Sequence, residues 1–149
     1  LTVSEVRQIA VSAENLKHRL MIELAYTAGL RVSELVAVKV QHMNLNKLML
    51  FVPGLGKLSA RTTIFSGGLK DALQRQVGNK KPGDYLFPSE RGGSLTTRSV
   101  TKFFKAALTT SGVEKQVTPH SLRQSFTAFM LAKGTDRFAV QTLLGRRAL

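Results

Sequence analysis

The chain of 149 residues has no cysteine, no tryptophan and only two tyrosines. Without cysteine it can form no disulfide and offers no thiolate to a metal, which suits a reducing compartment. Its three histidines are too scattered along the sequence to predict a metal cluster. No apolar run approaches membrane-spanning length and no signal peptide is visible, so we expect no association with a membrane.

Acidic residues are also scarce, with 9 Asp and Glu against 22 Lys and Arg and a formal net charge of +13. An excess of this size in one domain indicates a polyanionic partner, most often nucleic acid. The basic residues are spread along the whole chain, whereas ribosomal and membrane-surface proteins usually carry them in runs or tails. A basic protein without such a partner is the alternative. Hydrophobic residues make up 43% of the sequence, enough for one folded domain with its own core.

The pattern of apolar residues, caps and turns predicts a mainly α protein with a small antiparallel β-sheet (α+β). The capping box Thr2-x-x-Glu5 begins a first helix, Asn15 caps a second, and Gly29 ends it. A short helix begins at Ser33 and Glu34. The remaining elements follow in order: strands at 48–52 and 61–65 forming a hairpin, a helix at 69–77, a loop at 78–94, and helices from Thr96 or Thr97 to 108, at 119–133 and at 136–144.

The segment Pro119-His120-Ser121-Leu122-Arg123 is the most suggestive stretch of the chain. Proline is favoured at the first position of a helix. Residues three apart share a helix face, so His120 and Arg123 are predicted to point the same way from the first turn. The free N–H groups at a helix start also favour anions. The segment therefore predicts a phosphate-binding site, with a helix cap that has one polar face as the alternative.

Three further basic elements are candidates for the same site. Arg31 follows Gly29-Leu30 at a helix junction, and Lys57 lies in the glycine-containing loop of the hairpin. Arg146 follows Leu143-Leu144-Gly145 at a helix end. Taken singly, each has a structural alternative: a surface arginine, a solvated loop lysine and a basic tail.

Together these segments resemble the catalytic domain of the tyrosine recombinases, or phage integrase family. The segment 27–35, Thr-Ala-Gly-Leu-Arg-Val-Ser-Glu-Leu, is similar to the first arginine motif of the family. The segment 119–123 with Ser125-Phe126 is similar to its His-x-x-Arg motif, and 143–145 to the Leu-Leu-Gly that follows. Leu1-Thr2 with Glu5 resembles the usual start of the family's catalytic domain. The segment 86–88, Leu-Phe-Pro, resembles an element that recurs between the motifs. Their order and spacing agree over essentially the whole chain.

The resemblance implies a mechanism. In this family a tyrosine hydroxyl attacks a DNA phosphodiester and forms a covalent 3′-phosphotyrosyl link, which a strand hydroxyl later reverses without a metal or nucleotide cofactor. Arg31 and Arg123 would form a clamp on the non-bridging oxygens. His120 would assist proton transfer or hydrogen bonding. A lysine of the hairpin loop would protonate the leaving 5′ oxygen. Glu34 would support the site, orient Arg31 or cap a helix.

The sequence departs from the family pattern in three places. The nucleophile of the family follows Leu-Leu-Gly, whereas Tyr26 and Tyr85 are predicted to be packing residues, so we expect the tyrosine beyond Leu149. Histidine commonly follows Leu-Leu-Gly, where this chain has Arg146, which cannot easily shuttle a proton. The hairpin reads Gly-Leu-Gly-Lys at 54–57 where many relatives have Gly-Lys-Gly, so Lys57 would substitute from two residues along.

Three functional alternatives stay open at this point. The first is the catalytic domain of a site-specific recombinase, residues 1–149, ending before its tyrosine and inactive in cleavage by itself. The second is a remnant integrase domain that binds DNA without cleaving it. A regulatory DNA-binding protein with coincidental motifs is a third. The resemblance implies that the partner is double-stranded DNA. It also implies that the complete protein is tetrameric on DNA, although this stretch could be monomeric. The implied location is cytoplasmic and nucleoid-associated, in a bacterial, archaeal or phage-encoded system. Because the chain begins with Leu1, we expect a longer parent protein.

Overall fold

The computed structural model of the chain describes residues 1–54 and 60–145. In this part, the chain forms seven α-helices and a small sheet. The helices are α1 (Val3–Val11), α2 (Leu16–Ala28), α3 (Val32–Val36), α4 (Lys70–Val77), α5 (Thr97–Ser111), α6 (Pro119–Ala132) and α7 (Arg137–Leu144). The strands are β1 (Met43–Asn44), β2 (Met49–Val52) and β3 (Arg61–Ile64), and 3₁₀ turns span Val40–His42 and Gly67–Leu69. The mainly α class with a small antiparallel sheet is thus confirmed.

Local capping explains why the helices begin where the sequence predicts. At α1, the Thr2 N–H donates to Glu5 Oε1 at 2.8 Å and the Glu5 N–H donates to Thr2 Oγ1 at 3.1 Å, which is the reciprocal capping box. At α2, Asn15 Oδ1 accepts a hydrogen bond from the Lys17 N–H at 2.7 Å. These caps satisfy backbone donors that have no partner within the helix.

The sheet is antiparallel with the strand order β1-β2-β3. The predicted hairpin is present as β2 and β3, with Val52 opposite Arg61 and Leu50 opposite Thr63. The predicted first strand is one residue too long, because Leu48 has a φ of 55° and lies in the turn before β2. The sequence does not predict β1, since two residues are too few to show an alternating pattern.

The core forms around α2, which is buried along most of its length between α1, α5 and α6. Leu86 and Phe87 anchor the predicted loop in this core, and both are fully buried. α5 extends to Ser111, three residues beyond the predicted end at Leu108, and stops at Gly112. No helix among residues 1–54 and 60–145 is long and apolar enough to cross a membrane.

Gly29 ends α2 at a place where α6 and α7 come close to the backbone. Its φ is +65°, and a Cβ there would lie 2.7 Å from Phe126 Cδ2 and 3.1 Å from Leu144 Cδ2. Gly112 also caps a helix with positive φ, +78°, but a Cβ added there would have no described atom within 4 Å. The close approach of α6 and α7 to the end of α2 therefore needs glycine at Gly29 for space as well as conformation.

These two glycines give a matched prediction. Gly112→Ala is expected to lower the free energy of unfolding by about 1 kcal/mol, the cost of a left-handed non-glycine residue. Gly29→Ala is expected to lower it by about 2–4 kcal/mol, because overpacking adds to that cost. Urea denaturation of both variants measures the difference, and equal losses would show that the contact with Phe126 and Leu144 is loose.

Candidate functional site

Three segments that are distant in sequence meet around the carboxylate of Glu34, which is buried in α3. Arg61, the first residue of β3, donates to both carboxylate oxygens: Nη1 to Oε2, and Nη2 to Oε1 at 3.0 Å. Arg31 Nη1 lies 3.2 Å from Oε2, and Arg123 Nη1 lies 3.8 Å from Oε1. Three guanidinium groups thus converge on one carboxylate.

The junction between α2 and α3 positions two of these groups. Gly29 turns the chain out of α2 in the left-handed conformation, and Arg31 becomes the N-cap of α3. Glu34 is the third residue of α3, so its Oε1 accepts the Arg31 backbone N–H at 2.8 Å. An acidic side chain in the first turn is also favoured by the helix dipole. The local sequence therefore orients Glu34 and leaves the Arg31 side chain partly exposed, at 26%.

The charges in the cluster do not balance. Arg31 and Arg61 share the single carboxylate of Glu34, so these three side chains alone leave one positive charge in excess, and Arg123 lies beside them. Burial opposes ionisation of Glu34, but hydrogen bonds from Arg61 and from the Arg31 backbone, together with the charges of both arginines, hold its pKa below the ordinary value. The carboxylate is therefore ionised at neutral pH, and the cluster as a whole suits an anion.

Arg123 is fully buried in α6. Its Nη1 donates to the carbonyl oxygen of Gly29 at 2.5 Å, and its Nη2 donates to that of Leu144 at 2.7 Å. Both carbonyls lie at helix C-terminal ends, where carbonyl groups have no donor within the helix and carry negative partial charge. Arg123 thus ties the ends of α2 and α7 together beside Glu34.

The Leu-Leu-Gly segment at the end of α7 is held by the same arginines. The Leu143 carbonyl accepts Arg61 Nε at 2.6 Å, while the Leu144 side chain is buried in the core. Gly145 has a φ of +70°, and a Cβ there would lie 2.8 Å from Arg61 Cδ. The motif therefore has a physical basis here: two carbonyl acceptors, a core side chain and a residue with no room for a methyl group.

His120 and Arg123 differ in exposure although both lie near the start of α6. His120 is exposed on the first turn of α6, whereas Arg123 is fully buried. Residues three apart are offset by about 60° around a helix, and at the edge of the core this offset turns one side chain to solvent and the other under the end of α2. The two residues therefore differ in exposure, and their joint role at a phosphate stays a prediction.

Of the remaining predicted site residues, some lie within the described part of the chain and some do not. Arg31 and Arg123 both lie beside the Glu34 carboxylate, and their role as a phosphate clamp stays a prediction. Lys57 and Arg146 lie outside the described residues, and so does Leu55.

Both tyrosines occupy packing positions. Tyr26 is buried in α2, 6.4 Å from the Phe129 ring between centroids, and burial raises its pKa. Tyr85 is half-buried in the loop before α5, with Lys39 Nζ 5.5 Å from its ring centroid. Neither side chain has a contact with the cluster around Glu34 among those described, which agrees with the predicted packing roles.

Arg61 is the residue of this site that sequence reasoning missed, since the pattern predicts it only as the first residue of a strand. One signal is present, because Arg61 alternates with Thr62 and Ile64 and so falls on the core-facing side of β3, where a charged residue needs a partner. Its partners lie 27 and 82 residues away, which no local pattern reveals. Within the described ranges, no three His, Cys, Asp or Glu side chains are grouped so as to hold a metal ion.

Comparisons with known proteins agree with the motif pattern. The sequence profile of the phage integrase family matches residues 1–148. The chain is 38% identical over 146 residues to tyrosine recombinase XerC of Halalkalibacterium halodurans, covering 90% of this chain and 48% of that protein. It is 36% identical over 153 residues to tyrosine recombinase XerA of Pyrococcus horikoshii, covering 100% of this chain and 53% of that protein.

Solved structures give the same picture of the fold. A crystal structure of XerA recombinase superposes with a TM-score of 0.89 at 25% identity, over 99% of this chain and 56% of that chain. The integrase of mycobacterium phage Brujita superposes with a TM-score of 0.80 at 26% identity, over 99% of this chain and 49% of that chain. XerH recombinase bound to its difH substrate shares the fold, with a TM-score of 0.82 at 21% identity over 99% of this chain and 47% of that chain. The chain spans about half the length of the relatives it matches.

Proposed function

The chain belongs to the phage integrase family, and on that premise we propose that it is the catalytic domain of a site-specific DNA recombinase. Residues 1–149 would carry the phosphate-binding site, and the nucleophilic tyrosine would follow Leu149. The reaction is an exchange of DNA strands through a covalent 3′-phosphotyrosyl intermediate. Its substrate is double-stranded DNA, on which four copies of the complete protein assemble in the cytoplasm, at the nucleoid.

The observation that carries this proposal is the sharing of one buried carboxylate by several guanidinium groups. Placing unbalanced positive charge in a protein interior is unfavourable unless an anion is bound. A phosphodiester supplies that charge, and more of it develops on the non-bridging oxygens as the nucleophile attacks. Arginine donors already held in place stabilise such charge without reorganisation. Glu34 keeps the arginines oriented in the absence of DNA.

Each predicted residue then has a role in this reaction. Arg31, which is partly exposed, contacts a non-bridging oxygen from the open side of the cluster. Arg123 contributes positive charge from the buried side of the cluster, where it also holds the ends of α2 and α7. His120 donates to the phosphate or transfers a proton from the exposed first turn of α6. Lys57 protonates the leaving 5′ oxygen, and Arg146 donates to the phosphate in place of the common histidine.

An exposed basic stripe on α5 supports a DNA backbone as the ligand. Arg98, Lys102 and Lys105 are all exposed and follow one another at intervals of four and three residues, which places them on one face of the helix. Lysine and arginine on such a face can follow successive phosphates. The formal charge of +13 adds a long-range attraction that is independent of DNA sequence.

Binding of the chain to duplex DNA is therefore expected to depend steeply on salt. If about six phosphates are contacted, affinity falls by about 10³-fold between about 50 mM and about 200 mM salt. Fluorescence anisotropy with a labelled duplex measures the slope. A variant in which Arg98, Lys102 and Lys105 are replaced by Gln should lose up to about three units of that slope, whereas a flat response in the unsubstituted chain contradicts DNA backbone binding.

Cleavage separates the recombinase from the remnant domain. With a nicked suicide substrate, the 149-residue chain is expected to give no covalent adduct, because its two tyrosines are packing residues. The complete protein encoded by the same reading frame is expected to give an adduct, visible as a slower band in denaturing electrophoresis. An adduct formed by the 149-residue chain would refute the placement of the nucleophile, and none from the complete protein would favour the remnant.

A further inference from the structure

We propose that Arg61 is a positioning residue of the recombination reaction. Its guanidinium group joins Glu34 to the carbonyl end of α7 and so holds the last turn of that helix against the phosphate-binding arginines. The inference rests on the proposed function, in which the nucleophile is carried by the chain that follows α7. Arg61 itself does not touch the DNA in this scheme.

All three nitrogen atoms of the Arg61 guanidinium are engaged in two directions at once. Nη1 and Nη2 donate to the two oxygens of Glu34, while Nε donates to the Leu143 carbonyl at 2.6 Å. The residue is only 7% exposed. The planar fork of arginine can bind two acceptors on different edges simultaneously, so the orientation of Glu34 and the position of the end of α7 become coupled.

The backbone around Arg61 makes this connection short. Arg61 pairs with Val52 across the hairpin, and two residues on, Thr63 Oγ1 donates to the Ala28 carbonyl at 2.9 Å. The strand is therefore fixed against the end of α2, shortly before Arg31. On the other side, the Arg61 side chain packs against Gly145, where a Cβ atom would lie 2.8 Å from Arg61 Cδ. Any residue larger than glycine there would displace the arginine or the end of α7.

If Arg61 served stability alone, an arginine would not be needed at this position. Apolar residues that pack well often replace a buried ion pair without loss of stability. Lysine keeps the charge but has one nitrogen on a flexible stem, so it can neutralise Glu34 without holding the Leu143 carbonyl at the same time. Arg61→Lys therefore removes the coupling while it preserves charge.

The test uses the complete protein of this reading frame and compares Arg61→Lys with the exposed control Arg75→Lys. Single-turnover cleavage is measured on two suicide substrates, one with the natural phosphodiester and one with a methylphosphonate at the scissile position. In both, the tyrosine oxygen forms a bond to phosphorus and the 5′ oxygen leaves with a proton. The methylphosphonate lacks the negative charge, so it relieves a loss of charge stabilisation but not a loss of geometry.

We expect Arg61→Lys to bind DNA with unchanged affinity and salt slope and to cleave about 10–100-fold more slowly on both substrates, the scale of a small misplacement of reacting groups. Arg75→Lys should match the unsubstituted protein. Equal cleavage by Arg61→Lys and the unsubstituted protein overturns the inference, as does recovery on the methylphosphonate, which would place Arg61 among the charge-stabilising groups. No cleavage by the unsubstituted protein instead refutes the proposed function, and the inference with it.

A second pair of variants reaches the same contact from α7 and covers the case in which Arg61→Lys fails to fold. Gly145→Ala places a methyl group against Arg61 Cδ, whereas Gly134→Ala changes a helix-ending glycine of similar φ, +84°, with no described atom within 4 Å of its Cβ position. Gly145→Ala should slow cleavage of both substrates by at least about tenfold relative to Gly134→Ala. Equal rates for the two would count against a positioning role for this contact.

Discussion

Replacing Arg31 by Ala in the complete protein is expected to lower the rate of phosphodiester cleavage by about 10²–10³-fold, the usual effect of losing one preorganised donor to a developing oxyanion. Arg31 is the partly exposed member of the cluster, at 26%, and its Nη1 lies 3.2 Å from the buried Glu34 carboxylate. Its loss removes charge at the phosphate while Arg61 continues to hold Glu34. The defect should therefore lie in the chemical step.

Binding and substrate charge provide the checks on this result. One arginine contributes about one unit of salt slope among many phosphate contacts, so affinity for DNA should change little. A methylphosphonate at the scissile position should restore most of the lost rate, because it needs less charge stabilisation. Single-turnover kinetics on both substrates measure the effect. Near-normal cleavage of the phosphodiester by Arg31→Ala would show that Arg31 is not part of the clamp.

Replacing Glu34 by Gln is expected to be the most destabilising single change in the cluster. It leaves Arg61 buried without its carboxylate and brings the positive charges of Arg31 and Arg123 into direct repulsion. Removing one partner of a buried ion pair costs about 3–5 kcal/mol, which corresponds to a decrease of about 10 °C in the unfolding midpoint of a domain of this size. Thermal and urea unfolding of the 149-residue chain at neutral pH measure it, with Glu14→Gln at an exposed site as the control.

The same variant gives a pH dependence with a definite sign. Because the pKa of Glu34 is lowered in the folded state, its contribution is complete above the pKa of an unfolded glutamate and is lost as pH falls through the folded value. The difference in stability between the unsubstituted chain and Glu34→Gln should therefore shrink on acidification. Glu5, with a pKa lowered to about 2 by Lys115 and Thr2, acts alike in both proteins and cancels. A difference that stays constant down to about pH 3 would refute the ionised, arginine-bound Glu34.

Local chemistry made the helices and their ends predictable. Thr2 with Glu5, Asn15 and Gly29 act on backbone groups within four residues, so their effect can be recognised in a short window of sequence. The errors in the elements have equally physical causes. β1 is too short to show a period, and Leu48 adopts a left-handed conformation that a bulky residue rarely takes. α5 runs past Leu108 to Ser111 because Gly112, in the left-handed conformation, ends it.

The sequence by itself determined the class of fold, the positive charge and the motifs around Arg31 and Arg123, because each depends on composition or on neighbours a few positions apart. Only the tertiary structure decided that Glu34 is the shared centre of the site, that Arg61 joins it to the end of α7, and that Arg123 is buried while His120 is exposed. Those facts depend on contacts between residues 21 to 94 positions apart. Such contacts exist only after the hairpin and the last two helices have closed on the end of α2, so no local pattern could have revealed them.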